Sequence, residues 1–145
     1  MLEHILKSGI NFYLIRMDVN PIAVVIAALV PFFLGYVWYT IVFNKPWMKE
    51  VGIKEGTTVG EIDIKKQLIG SFILELIMAV VLSYFLGRDA DAGKGLVTGL
   101  LIGIIVALSF GVNYFFEGKT LNHWCINAGY NTILFTVMGL IIGAM

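Results

Sequence analysis

Four long stretches without a charged side chain limit what this chain can fold into. No Asp, Glu, Lys or Arg occurs in residues 19–44, 95–116 or 120–145, and residues 67–87 hold only Glu75. A helix of about 20 apolar residues crosses a hydrocarbon core of about 30 Å, so each stretch is long enough to span a bilayer. Only 14% of the residues are charged, too few to cover a soluble fold. The pattern predicts an all-α integral membrane protein with four transmembrane helices in a bundle.

Capping residues and prolines indicate where the predicted spans begin and bend. Asn20 followed by Pro21 is typical of a helix start, Asp63 is a candidate cap for the second span, and Pro31 predicts a kink in the first. Residues 44–66 form a polar loop. The predicted spans, which together form one transmembrane domain over residues 19–145, are residues 20–43, 67–87, 95–116 and 121–144.

The first eighteen residues precede this domain. Apolar side chains at helical spacing predict a short amphipathic helix lying in the membrane interface over residues 1–18. Lys7, Asn11 and Arg16 interrupt the apolar run, so the segment lacks the core of a cleaved signal peptide. Two alternatives stay open: a disordered leader, or a true start at Met17.

The distribution of Lys and Arg predicts the orientation in the membrane. The loops between spans 1 and 2 and between spans 3 and 4 lie on the same side and carry six basic residues, against four on the other side. Basic loops favour the cytoplasm. We therefore expect both of these loops in the cytoplasm and both termini outside.

Composition and motifs exclude several classes of function. The net charge is zero and no basic tract occurs, which argues against nucleic acid as a partner. The single cysteine, Cys125, excludes an internal disulfide, and no metal-ligating cluster, phosphate loop or catalytic triad pattern is present. We therefore expect no cofactor and no metal, and an enzyme is the least favoured class.

Small residues four apart mark faces on which membrane helices pack closely. The third span has an unbroken run of five such residues, and the fourth span ends with two. This small-residue ladder predicts a helix-packing surface for contact within the chain, with further copies or with a larger membrane complex. Its members are Gly95, Gly99, Gly103, Ala107 and Gly111 of span 3 with Gly139 and Gly143 of span 4.

Glu75 is the one acid inside a predicted span, and it lies on the small-residue face of its helix. An ionised side chain at mid-membrane costs roughly 3 kcal/mol, so we expect it to face protein and to be partnered or protonated. Most polar side chains of the spans fall in the same half of the membrane, toward the loops 1–2 and 3–4. They predict a shared intramembrane polar pocket, formed by Glu75, Trp38, Asn113, Asn127, Tyr130 and Asn131. The alternative is that these polar groups only bond across helices for structural reasons.

Several short motifs resemble an uncharacterised family of small bacterial membrane proteins, domain-of-unknown-function family 1761. The resemblance covers about residues 17–145 and implies four spans in a bacterial inner membrane, with no activity. The leader before Met17 departs from the family pattern. The motifs are Leu34-Gly35-x-x-Trp38-Tyr39, Phe43-x-Lys45-x-Trp47-Met48, Phe116-Glu117-Gly118-Lys119, Asn127-Ala128-Gly129-Tyr130, and Met138-Gly139 with Gly143.

Two functions remain in competition. In the first, the protein is a small proton- or cation-linked transporter or binding protein, with Glu75 as the binding group and two or more chains forming the passage. In the second, it is a structural or accessory subunit that packs on itself or on a larger membrane complex through the span 3 ladder. The sequence favours the first slightly, and in both cases the partners are the lipid bilayer and further membrane chains.

Overall fold

The computed structural model describes residues 19–54, 57 and 65–145, and all regular secondary structure in this part of the chain is helical. Four helices are long and apolar enough to cross a membrane, which confirms the predicted all-α fold with four spans. A short fifth helix, Asn44–Val51, follows span 1 and is called the loop helix. The predicted amphipathic leader and the Asp63 cap lie outside the described residues. Spans 1–4 are Pro21–Val42, Lys65–Leu86, Ala92–Phe116 and Leu121–Ala144.

Span 1 changes its helical geometry near its end. The Asn20 side chain caps its start by accepting hydrogen bonds from the backbone N–H groups of Ile22 and Ala23, at 3.0 and 3.3 Å. The α-helix continues through Pro31 and becomes a π-helix over Val37–Val42. The departure from α geometry therefore lies six residues beyond the proline at which a kink was expected.

Local capping also explains where span 3 begins. The span starts at Ala92, three residues before the predicted start, because the Asp91 side chain accepts a hydrogen bond from the Lys94 N–H at 2.7 Å. Gly87, with φ of +74°, lies just after the end of span 2, in the left-handed region that favours glycine. Together these residues make the turn between spans 2 and 3 short.

Span 4 is the central helix of the bundle. It packs along span 3 on one side and along span 1 on the other, while span 2 packs mainly on span 1. Leu82, Leu134 and Met138 are buried where spans 1, 2 and 4 meet. Large apolar side chains such as Phe33, Phe85 and Ile105 point outward on the spans, where acyl chains would cover them.

The contact between spans 3 and 4 is a backbone-to-backbone seam. The buried residues of span 3 are its five small ladder residues. A methyl group added at Gly95 would overlap the carbonyl oxygen of Gly139, and one added at Gly103 would lie 2.7 Å from the Thr132 Cα. The ladder therefore faces span 4 of the same chain, which leaves it no surface for a partner.

Candidate functional site

The π-helical end of span 1 directs two consecutive aromatic side chains at span 4. The Trp38 indole N–H donates to the Ile126 carbonyl at 3.0 Å, and the Tyr39 hydroxyl donates to Asn127 Oδ1 at 2.8 Å. Gly129 leaves room for the indole, since a methyl group there would lie 3.0 Å from the ring of Trp38. π-Helical turns are often found at functional sites. Here the turn joins span 1 to span 4 through polar side chains.

Asn127 connects three spans. Its Oδ1 accepts from Tyr39 of span 1, and its Nδ2 donates to the Tyr114 hydroxyl of span 3 at 2.9 Å. Both the acceptor and a donor of this half-buried amide are thus bonded to other helices. Such interhelical bonds contribute about 0.6 kcal/mol each in membranes. Asn127 therefore links span 4 to spans 1 and 3 by hydrogen bonds.

Tyr130 lies one turn deeper on span 4. Its hydroxyl donates to the Pro31 carbonyl at 3.1 Å, and its ring centroid lies 5.0 Å from that of Tyr39. A methyl group at Gly35 would be in ordinary contact with the Tyr130 hydroxyl, at 3.5 Å. Tyr130 is therefore held against span 1 with its hydroxyl proton already engaged.

Glu75 lies near the middle of span 2, and no described residue donates a hydrogen bond to its Oε2. It is ten residues from the start of span 2 at Lys65, hence about 15 Å along the helix axis. The side chain is half-buried, and Oε2 is fully buried with no hydrogen-bond partner in the described part of the chain. The carboxyl group lies within electrostatic range of the Tyr130 phenol. A buried polar oxygen without a hydrogen-bond partner is energetically costly.

Two of the six predicted pocket residues lie apart from this arrangement. Asn131 donates to the carbonyl of Asn127 in its own helix, at 2.8 Å. Asn113 is exposed on span 3, and its backbone carbonyl accepts from the Glu117 N–H. The structure thus brings Trp38, Asn127 and Tyr130 to the interface between spans 1 and 4, with Glu75 in electrostatic range of Tyr130. The side-chain amides of Asn113 and Asn131 form no hydrogen bond to another span among the described residues, although the Asn131 backbone faces Gly103.

Tyr114 and His123 were not among the residues of the predicted polar pocket, but both lie beside it. His123 is 8% exposed, its ring centroid lies 5.1 Å from that of Tyr114, and its Nδ1 is buried with no partner among the described residues. The spacing of these two residues in the sequence indicates the helix face on which each lies. Tyr114 follows Gly111 by three residues, on the ladder face, and His123 precedes Asn127 by four.

The loop helix is attached to the start of span 4. The Glu50 carboxylate accepts from the Thr120 hydroxyl at 2.6 Å and from the Asn122 amide at 3.0 Å. These two hydrogen bonds lower the pKa of Glu50 below its usual range. Trp47 of the same helix lies 5.2 Å from Tyr39, measured between ring centroids. The loop helix therefore covers the polar end of the bundle.

The fold and the site define a four-span helical membrane protein with a polar half and one intramembrane acid. A family model described as a protein of unknown function (DUF1761) matches residues 22–143. The chain belongs to that family, which confirms the resemblance seen in its motifs. No curated protein and no solved structure matches the chain.

Two motifs that carry the family resemblance meet in space. Trp38 and Tyr39, from the first motif, contact the motif that begins at Asn127: Trp38 lies against Gly129, and Tyr39 bonds to Asn127 and packs on Tyr130. Two of the five motifs therefore meet at the interface between spans 1 and 4.

Proposed function

We propose that this chain is a membrane protein that binds a proton or small cation at Glu75, in the service of proton- or cation-linked transport. The observation that supports this is the buried Oε2 of Glu75, which has no hydrogen-bond partner in the described part of the chain. An ionised carboxylate at this depth is costly, and intramembrane acids commonly mark proton or ion pathways. Binding a proton would remove the charge of this carboxylate, and binding a cation would neutralise it, which lowers the cost of burying it.

The surroundings of Glu75 favour a proton over a metal ion. Metal cations such as Ca²⁺ take six to eight oxygen ligands, whereas a proton needs one carboxyl oxygen. The nearby Tyr130 hydroxyl already donates to Pro31. Among the described residues, no group of three His, Cys, Asp or Glu side chains is placed to hold a metal.

A series of polar side chains leads from one end of the bundle toward Glu75. We call it the polar track, and its members are His123, Tyr114, Asn127, Tyr39 and Tyr130. On span 4, which starts at Leu121, the helical rise places His123 about 3 Å, Asn127 about 9 Å and Tyr130 about 13 Å from that start. We propose that the ion approaches Glu75 along this track, from the side of the loops 1–2 and 3–4.

The second candidate function, that of an accessory subunit, has less support. Its docking surface was the span 3 ladder, which span 4 of the same chain occupies. A homo-oligomer or a larger complex would have to form through one of the outward apolar faces. We also propose a bacterial inner membrane as the protein's location, which the family resemblance implies.

A hydrophobic carbodiimide tests the proposal directly, because it reacts with protonated carboxyl groups in apolar surroundings. We expect the reagent to label the intact chain in membranes at Glu75, and the label to disappear in Glu75→Gln. The matched control is Glu117→Gln, which removes an exposed acid at the end of span 3 and should leave the label unchanged. Absence of label at Glu75 would refute proton binding there, and protection by Na⁺ or K⁺ would identify a metal cation as the ligand.

A further inference from the structure

A cavity of about 430 Å³ lies at the opposite end of the bundle from the loop helix. The start of span 1 and the ends of spans 2 and 4 surround it, together with the turn between spans 2 and 3. At about 30 Å³ per molecule, this volume holds on the order of ten waters. Its lining in the described part of the chain includes Asn20, Ser83, Arg88, Ile142 and Met145.

Ser83 is the polar residue that reaches furthest into the span from this cavity. The residue is only 6% exposed, and it lines the cavity. Water in the cavity would therefore be able to hydrogen-bond to the Ser83 hydroxyl.

Ser83 and Glu75 lie on the same face of span 2. They are eight residues apart, which is about 12 Å along the helix axis. Ala79 lies between them and is fully buried, and Leu82, Leu134 and Met138 belong to the same buried cluster with 2% exposure or less. These four residues are called the apolar plug. They lie between the cavity and the carboxyl group and carry no polar side-chain group.

We propose that the cavity is the second aqueous mouth of the Glu75 pathway, with Ser83 at its floor and the apolar plug closing it from Glu75. This inference rests on the proposed function. The polar track approaches Glu75 from one side of the membrane, and the cavity approaches the same helix face from the other. A proton bound by the Glu75 carboxylate from the track would leave to water in the cavity once the plug parts.

Cysteine accessibility tests this inference on the full chain. Ser83→Cys, in a chain carrying Cys125→Ser, is treated in vesicles with a charged, membrane-impermeant thiol reagent applied to each side in turn. We expect Ser83→Cys to react from one side only, about tenfold faster than either of two controls, because only a water-exposed thiol forms the reactive thiolate. The controls are Ala79→Cys, in the plug, and Val81→Cys, which is 59% exposed but faces lipid.

A second cysteine variant controls for a local folding defect caused by Ser83→Cys. Ile142→Cys lines the same cavity from span 4 and should react from the same side as Ser83→Cys. If both cysteines react no faster than the Val81→Cys control, the cavity is dry and the inference fails. That failure is separate from failure of the proposed function, which is decided by the carbodiimide label on Glu75.

Discussion

Gly99 faces the carbonyl group of Phe135 across the seam between spans 3 and 4, and a methyl group at residue 99 would overlap that carbonyl oxygen. The same methyl group would lie 3.0 Å from the Thr136 Cα. The obstacle is backbone, which cannot rotate away as a flexible side chain can. Relief requires the two helices to separate, so close packing of this seam depends on glycine at residue 99.

Gly99→Ala should therefore destabilise the protein. Overpacking costs typically 1–3 kcal/mol, and the backbone contact places this variant at about 2 kcal/mol or more. The measurement is unfolding in mild detergent, followed by circular dichroism. The matched control is Gly70→Ala in span 2, where no atom lies within 4 Å of the added carbon. Equal stability of the two variants would contradict the seam.

Asn127→Ala should weaken the contact among spans 1, 3 and 4. The change removes the bonds to Tyr39 and Tyr114, and at about 0.6 kcal/mol each we expect a loss near 1 kcal/mol. Asn131→Ala is the matched control, since that amide donates to a carbonyl of its own helix. Denaturant titration of both variants measures the loss in free energy of unfolding for each. A larger effect at residue 131 would show that the interhelical bonds of Asn127 contribute little.

Glu50 should make the attachment of the loop helix depend on pH. Its pKa is lowered in the folded protein, first by the Thr120 hydroxyl and then by the Asn122 amide. Because the pKa of Glu50 is lower in the folded protein than in the unfolded chain, its carboxylate stabilises the folded protein above the unfolded pKa of about 4.3. This stabilisation is lost as the pH falls through the folded pKa. Among the described residues, the charges of His123 and Lys49 also lower this pKa.

The corresponding variant is Glu50→Gln, measured by thermal unfolding from pH 7 to pH 3. We expect the variant to unfold at a lower temperature than the parent at pH 7, and the difference to shrink as the parent carboxylate becomes protonated. Glu117→Gln provides the comparison for loss of an exposed acid at the neighbouring turn. A difference between parent and Glu50→Gln that stays constant over this range would contradict the hydrogen-bonded carboxylate.

The orientation predicted from Lys and Arg has a direct measurement. In a chain with Cys125→Ser, we expect Lys54→Cys to react with an impermeant thiol reagent only after the cells are permeabilised, because the loop 1–2 should be cytoplasmic. Asp89→Cys, an exposed residue of the turn between spans 2 and 3, should react in intact cells. The reverse pattern would place both termini in the cytoplasm.

Much of the fold was accessible from local sequence patterns. The charge-free stretches predicted four spans, since crossing a bilayer depends on the length and composition of one helix at a time. The spacing of Gly95, Gly99 and Gly103 likewise marked one face of span 3, because residues four apart lie on the same side of a helix. Neither pattern indicated which helix that face would meet.

The partners of these residues were decided by the tertiary structure. Span 4 occupies the ladder, Tyr114 reaches Asn127 while Asn113 turns outward, and no described residue donates to Glu75 Oε2. These outcomes depend on how whole helices rotate and pack against one another.

Hydropathy and small-residue spacing by themselves determined how many helices cross the membrane and which of their faces can pack closely, because both are properties of a single helix. Pairing between helices belonged to the folded bundle alone, because a contact such as Tyr39 with Asn127 joins residues 88 apart in the chain and depends on the π-helical turn that orients Tyr39.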